Sequence, residues 1–123
     1  MKVQDVMINN VELVNADDPV LVAAQLMAEQ NVGALPVADR DRLIGMITDR
    51  DVVVRVVASR RDPQVTPVRE AMTQGVKYCY EDEDLTHVMH NMDELGVQRL
   101  PVMTRSKRLA GIISRTDIEA ALV

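Results

Sequence analysis

Two short segments of this sequence repeat one pattern of glycine, hydroxyl and carboxylate residues. They are GMITDRD at residues 45–51 and GIISRTD at residues 111–117. A hydroxyl side chain placed where a strand turns into a helix lies beside unpaired backbone N–H groups, which favour an anion such as phosphate. A carboxylate three residues later can accept two hydrogen bonds from vicinal hydroxyls such as a ribose diol. Gly45 and Gly111 leave room for close approach by a ligand or by another backbone. Together these residues suggest a ribonucleoside phosphate.

The same spacing also has a purely structural interpretation. Ser or Thr followed three residues later by an acid is a capping box, which many helix starts carry for stability alone. Here each copy follows a Leu-x-Gly-x-Ile or related apolar run and a Leu-Pro-Val segment. Because capping alone does not explain why this whole context recurs, we expect ligand contacts at Thr48, Asp51, Ser114 and Asp117.

The motifs belong to a longer internal repeat. Shifting the chain on itself by 65 or 66 residues aligns NVGALPVADRDRLIGMITDRDVV with GVQRLPVMTRSKRLAGIISRTDIE. Each half then predicts β-α-β-β-α, with short strands near 11–14 and 76–80 and helices near 19–30 and 85–95. Two strands around a polar turn follow in each half, and a closing helix begins near Asp49 or Arg115. We place repeat 1 at residues 1–60, a polar linker at 61–68 and repeat 2 at 69–123.

A unit of about 60 residues is marginal by itself, because it buries little of its surface. We therefore expect an α/β fold of two pseudo-symmetric repeats packed sheet against sheet. Asp18-Pro19 suits the start of the first helix, since Asp accepts from unpaired amides and Pro fits the first helical position. Gly96 suits the end of the second helix.

Composition restricts the function classes. The 123 residues include 47% hydrophobic residues and carry a formal charge of -5, so nucleic acid is a poor partner. No apolar stretch approaches the ~20 residues of a membrane span, and the first residues lack the apolar segment of a signal peptide. The single Cys79 fits a reducing compartment. We expect a cytoplasmic protein that does not bind a membrane.

In VGALPV, VQRLPV, GMITDRD and GIISRTD, the sequence resembles a tandem pair of cystathionine-β-synthase-type (CBS) domains, or Bateman module. The resemblance extends from about Val3 to the end of the sequence. It implies a regulatory sensor, not an enzyme, that needs no cofactor and signals its occupancy to an unknown regulated protein. The ligand would be AMP, ADP or ATP, or else S-adenosylmethionine or an NAD-type dinucleotide, held in two clefts between the halves.

The resemblance also implies roles for individual residues. Thr48 and Ser114 would contact phosphate, and Asp51 and Asp117 would contact ribose. One cleft would combine residues Val32, Gly33, Ile112, Ser114 and Asp117. The other would combine residues Val97, Gln98, Met46, Thr48 and Asp51. Backbone groups near Gly33 and Gln98 would contact the adenine edge. Arg99 would contact phosphate, and because its counterpart is Ala34, the two clefts would be unequal.

Other patterns have simpler interpretations. His87 and His90, with Cys79 nearby, could face one metal ion, but partly buried structural histidines fit better, so we expect no metal site. The acidic run 81–84 suits a helix start, and the arginines within 55–61 suit a solvated helix end. No nucleophile and base form a motif, so we expect no catalytic residues.

Two apolar segments, VVVRVVA at 52–58 and IEAALV at 118–123, predict a homodimer. The alternative function is a structural dimerisation module whose clefts are empty or vestigial.

Overall fold

The computed structural model describes residues 1–9, 11–40, 42–75 and 77–123. The chain divides into two compact units. The central unit is Glu12–Val76, and the terminal unit joins Met1–Val11 to Lys77–Val123. Val76, where the second leading strand was expected to begin, lies outside the described residues, as does Asp41, which was expected in a polar turn.

The elements follow one another in the same order twice. The first series is a 3₁₀-helix at Val3–Asp5, β1 at Ile8–Asn9, β2 at Val14–Asn15, α1 at Val20–Gln30, β3 at Ala34–Asp39, β4 at Arg42–Thr48 and α2 at Asp49–Val52, which continues as a π-helix over Val53–Val57. The second series is a 3₁₀-helix at Val68–Glu70, β5 at Thr73–Gln74, β6 at Cys79–Tyr80, α3 at Leu85–Leu95, β7 at Arg99–Met103, β8 at Leu109–Ser114 and α4 at Arg115–Ala121.

Each unit contains one four-stranded sheet, and the two sheets share a topology. The central sheet has the order β2-β3-β4-β5, and the terminal sheet has the order β6-β7-β8-β1. In each sheet the first pair is parallel and the other two pairs are antiparallel. The predicted α/β class and the repeated hairpins are confirmed.

The compact units do not follow the sequence repeats. β1 lies at the start of repeat 1 but pairs with β8 of repeat 2, and β5 lies at the start of repeat 2 but pairs with β4 of repeat 1. The boundaries expected at residues 60 and 68 therefore differ from those of the units, because each leading segment pairs with a hairpin distant in sequence.

Two glycines allow these edge strands to approach. A Cβ atom at Gly45 would lie 2.5 Å from the Thr73 carbonyl oxygen. A Cβ atom at Gly111 would overlap the Ile8 carbonyl oxygen. Of the two explanations for these glycines, the structure supports close approach of another backbone.

The helix boundaries agree with the sequence at most positions. α3 has the predicted bounds, and Gly96 ends it in the left-handed conformation with φ of 67°. The role expected of Asp18 is wrong: its carboxylate accepts from the Asn15 N–H at 3.1 Å, and the N-cap residue of α1 is Pro19. The Val20 N–H instead donates to the Thr66 carbonyl at 2.8 Å. The predicted linker thus packs on α1 through the buried Thr66.

Aliphatic side chains fill a separate core in each unit. The central core includes Val20, Leu35 and Ile47, and the terminal core includes Leu85 and Ile113. Met27, Met92 and Met103 are buried, whereas Met46 and Met89 are half-buried. No helix among the described residues has the length and apolar character needed to cross a membrane.

Candidate functional site

The motif of the central unit forms a complete capping box. The Asp51 N–H donates to the Thr48 hydroxyl at 3.1 Å, and the Thr48 N–H donates to the Asp51 carboxylate at 2.9 Å. The adjacent Asp49 N–H donates to the Gly33 carbonyl at 3.0 Å, which ties the start of α2 to the start of β3. The structural interpretation of the motif therefore holds at this position, whether or not a ligand also binds there.

Arg55 adds a second constraint on Asp51. Its Nε lies 3.9 Å from Asp51 Oδ1, and the Asp51 side chain is only 13% exposed. The Arg55 guanidinium is itself held, because Nη1 donates to the carbonyls of Ala71 at 3.1 Å and Met72 at 2.6 Å. Arg55 was expected only at a solvated helix end, although its position four after Asp51 is the spacing of helical ion pairs.

The motif of the terminal unit is only half capped. The Asp117 N–H donates to the Ser114 hydroxyl at 3.1 Å, and the Arg115 N–H donates to the Gln98 carbonyl at 2.8 Å. Among the described residues, no hydrogen bond returns from the Ser114 N–H to the Asp117 carboxylate. The position four after Asp117 is Ala121, which carries no charge. The carboxylate of Asp117 is therefore less engaged than that of Asp51.

The residue opposite each hydroxyl also differs between the units. Arg99 is the cross-strand partner of Ser114, whereas Ala34 is the partner of Thr48. Side chains directly opposite in an antiparallel pair lie on one face with Cβ atoms about 5 Å apart. Arg99 is exposed and Ala34 is buried. The terminal motif thus carries a cation directly opposite its hydroxyl residue, where the central motif has an alanine.

The remaining predicted contacts occupy matching places in the two units. Val32 and Val97 are half-buried, and their N–H groups donate to the last turns of α1 and α3, respectively, at 3.1 Å. Met46 is half-buried on β4, and Ile112 is buried on β8. The central unit brings together Val32, Gly33, Met46, Thr48 and Asp51. The terminal unit brings together Val97, Gln98, Arg99, Ile112, Ser114 and Asp117.

The carbonyls expected to contact adenine already have donors. Gly33 and Gln98 accept from the backbone N–H groups of Asp49 and Arg115. A carbonyl oxygen has two lone pairs, so each can accept one further bond. Gln98 is exposed and Gly33 is half-buried.

The interpretation of the histidines as partly buried is wrong. His87 and His90 are exposed, with side-chain exposures of 60% and 69%. Each faces a glutamate one turn away, Glu83 at 3.6 Å and Glu94 at 3.1 Å. The described residues contain no group of three or more His, Cys, Asp or Glu side chains placed to hold a metal ion.

Cys79 is a buried free thiol. Burial, with a smaller contribution from Glu83, raises the pKa of this thiol to about 12. A thiol with so high a pKa is a poor nucleophile and a poor metal ligand at neutral pH.

Comparison with known proteins identifies the fold that holds these two motifs. The chain matches the family described as CBS domain twice, over residues 3–58 and 68–123. The chain belongs to the CBS domain family. Its sequence is 35% identical over 116 residues to hypoxic response protein 1 of Mycobacterium tuberculosis, a match that covers 94% of this chain and 80% of the relative.

Solved structures share the whole architecture of this CBS domain pair. A crystal structure of hypoxic response protein I with two coordinated zinc ions covers 100% of each chain, with a TM-score of 0.86 and 34% identity. The CBS domain pair of MJ0100, in complex with 5′-methylthioadenosine and S-adenosyl-L-methionine, covers 99% of this chain and 95% of its own, with a TM-score of 0.85 and 25% identity. A hexameric CBS-CP12 protein from bloom-forming cyanobacteria covers 97% of this chain and 69% of its own, with a TM-score of 0.85 and 29% identity.

Proposed function

We propose that this CBS domain pair is a regulatory module that binds an adenosine-containing nucleotide through its two motifs and signals occupancy to another protein. The hydroxyl of Thr48 or Ser114 serves the phosphate, and the carboxylate of Asp51 or Asp117 serves the ribose. The module is not an enzyme in this proposal, and its regulated partner is a separate protein. A cytoplasmic location stays a prediction.

One observation carries the proposal. In both units the hydroxyl accepts from the N–H three residues later at 3.1 Å, so the hydroxyl and the carboxylate are held at the same helix start. The terminal motif adds two features that favour a ligand: Arg99 opposite Ser114, and a carboxylate that has no capping bond within the part of the chain that the structure describes. The terminal motif is therefore the stronger site for a phosphorylated nucleotide.

The ligand class has support from one solved relative. The MJ0100 pair was crystallised with two adenosine derivatives. Both of them carry the adenosine group that the ribose and adenine contacts would recognise. We propose AMP, ADP or ATP as the first candidates, because Arg99 supplies a charge that a phosphate can use. S-adenosylmethionine and NAD-type dinucleotides are the next candidates.

Thermal shift and calorimetry with a nucleotide panel test the proposal. At about 100 times its dissociation constant, a ligand that binds only the folded state adds ~2.7 kcal/mol to the free energy of unfolding. For the best nucleotide we expect Asp117→Asn to weaken binding at least tenfold, since it removes charge-assisted hydrogen bonds. The matched control is Glu119→Gln, an exposed change two residues further along α4, which should leave affinity unchanged.

Two results would contradict this function. The first is the absence of any thermal shift with AMP, ADP, ATP, S-adenosylmethionine or NADH at millimolar concentration. The second is an unchanged affinity in the double variant Asp51→Asn and Asp117→Asn, which would leave both motifs as helix caps.

A structural dimerisation module with vestigial sites is the second candidate function. The complete capping box at Thr48 and Asp51 favours it, because that motif has a structural role without any ligand. The π-helix also exposes Val53, Val54 and Val57, which suits a contact with a second copy. We propose a homodimer in either case. Light scattering that reports a monomer at tens of micromolar would refute the homodimer.

A further inference from the structure

The two tyrosines form a surface cluster with one lysine. Tyr78 and Tyr80 are the only Phe, Trp or Tyr residues in the sequence. Their rings meet edge to face with centroids 5.5 Å apart. Lys107, in the turn between β7 and β8, places Nζ 2.6 Å from the Tyr80 hydroxyl and 3.2 Å from the Tyr78 hydroxyl. We call these three residues the tyrosine–lysine cluster.

The repeat shows that the fold does not require this cluster. In the central unit, the positions that correspond to the two tyrosines are Leu13 and Asn15. Each hairpin turn contains a left-handed residue, Arg40 with φ of 57° and Lys107 with φ of 68°. The left-handed turn residue thus belongs to the fold, whereas the aromatic rings beside it occur in one unit only.

The cluster presents two hydrogen-bond donors to solvent. An ammonium group has three donors, and Lys107 directs two of them at the phenol oxygens. The Tyr78 hydroxyl also donates to the Tyr80 oxygen. The Tyr80 O–H and one N–H of Lys107 are left to donate outward, with Tyr78 and Lys107 both exposed.

Lys107 is the cation of the cluster, and Glu83 lies near it because its carboxylate accepts from the Tyr80 N–H at 2.7 Å. Arg105 lies over the Tyr80 ring, with its central guanidinium carbon 4.0 Å from the centroid. Its charge is compensated, because Nε and Nη2 both donate to the Asp82 carboxylate at 2.8 to 3.1 Å. Lys107 is left as the cation that an incoming anion would meet.

We propose that the tyrosine–lysine cluster is a docking surface for a partner protein that presents an aspartate or glutamate side chain. A single carboxylate matches the Lys107 ammonium and the two donors that face outward. The acidic run EDED at 81–84 directly follows Tyr80 and repels polyanions such as nucleic acid or an anionic membrane. A free carboxyl terminus is usually captured by backbone N–H groups, and this cluster offers side-chain donors instead. Tyrosine is also enriched among residues that dominate binding at protein interfaces.

The surface is separate from the proposed nucleotide motif. Arg99 and Ser114 pair at one end of the β7–β8 hairpin, and the turn that carries Lys107 closes the other end. Six residues of strand span on the order of 20 Å. Docking at the cluster and nucleotide binding at Ser114 can therefore be tested independently.

Intrinsic fluorescence offers a direct test, because the sequence has no Trp and all intrinsic emission comes from Tyr78 and Tyr80. The probes are the blocked peptide acetyl-AEAEA-amide, its neutral counterpart acetyl-AQAQA-amide, the peptide acetyl-AAAAA with a free carboxyl terminus, and inorganic phosphate. We expect saturable binding of the glutamate peptide with a dissociation constant below about 1 mM. Lys107→Met should weaken this binding at least tenfold. The matched control is Arg40→Met, which removes a left-handed cationic residue from the hairpin turn of the central unit and should bind as the unaltered protein does.

Each contrary result overturns the proposal in a defined way. Equal binding of the glutamate and glutamine peptides, or unchanged binding in Lys107→Met, would reduce the cluster to ordinary surface packing. Tighter binding of phosphate than of the glutamate peptide would exclude a carboxylate partner. Binding of the free-carboxyl peptide alone would exclude side-chain recognition. Amide chemical shifts recorded on the Lys107→Met variant show whether the hairpin is intact, and an intact hairpin without weakened binding also counts against the proposal.

Discussion

The two aspartates that end the repeated motifs make different contacts in the unliganded protein, and this difference leads to the sharpest prediction. Asp51 accepts from the Thr48 N–H and faces Arg55, whereas Asp117 lacks both partners among the described residues. Asp51→Asn keeps an acceptor but loses the charge, which weakens the hydrogen bond from the Thr48 N–H by about 1 kcal/mol. Loss of the ion pair with the half-exposed Arg55 lowers the free energy of unfolding by about 0.3 kcal/mol more. Asp117→Asn should change the free energy of unfolding by less than about 0.5 kcal/mol.

These energies convert into measurable melting temperatures. For a chain of this length, 1 kcal/mol corresponds to about 4 °C. We therefore expect Asp51→Asn to lower the melting temperature by about 5 °C and Asp117→Asn by less than about 2 °C, measured without nucleotide by circular dichroism. Urea denaturation of the same variants checks the energies directly. Equal losses in the two variants, or a larger loss for Asp117→Asn, would show that the asymmetric capping has no energetic consequence.

Three further predictions follow from contacts described above. Gly45→Ala and Gly111→Ala should each cost about 1 to 3 kcal/mol in urea denaturation, because the new Cβ collides with backbone rather than with a movable side chain; a cost below about 0.5 kcal/mol would contradict the close approach. The hydrogen bond from Lys107, together with that from Tyr78, lowers the pKa of the Tyr80 phenol. Lys107→Met should therefore raise that pKa in an ultraviolet titration. An unchanged titration curve would refute the contact between Lys107 and Tyr80. The buried Cys79 thiol, with its pKa near 12, should react with a thiol reagent only after denaturation; rapid reaction in the native protein would be inconsistent with its burial.

The elements that local sequence predicts are those whose signals lie within a few residues. The apolar period and Gly96 define α3, and the polar turns define both hairpins. The strands β1 and β5 could not be predicted, because each has only two residues and its pairing partner is remote. Gly45 and Gly111 indicated that another group approaches each hairpin closely. They did not distinguish a ligand from another backbone.

In the candidate site, too, the contacts set by nearby residues were predicted and those between residues remote in sequence were not. The spacing of hydroxyl and aspartate predicted a shared helix start in both units, and the structure contains it. The sequence did not predict that Arg55 would face Asp51, because that depends on the carbonyls of the 3₁₀-helix region holding its guanidinium. It also gave no reason to place Lys107 beside Tyr80, since that contact joins a turn to a strand far from it in sequence.

The pairing of β1 with β8 sets an order of events during synthesis. The central unit, Glu12–Val76, is one continuous stretch of chain and can fold as soon as it has emerged from the ribosome. The terminal unit needs Met1–Val11, whose buried Val3 and strand partner Ile8 must wait until β8 is made. During that interval, several seconds at ~5 to 20 residues per second, an apolar segment has no native partner. Until β8 is made, this segment is exposed to chaperones, to aggregation and to exchange with a neighbouring chain.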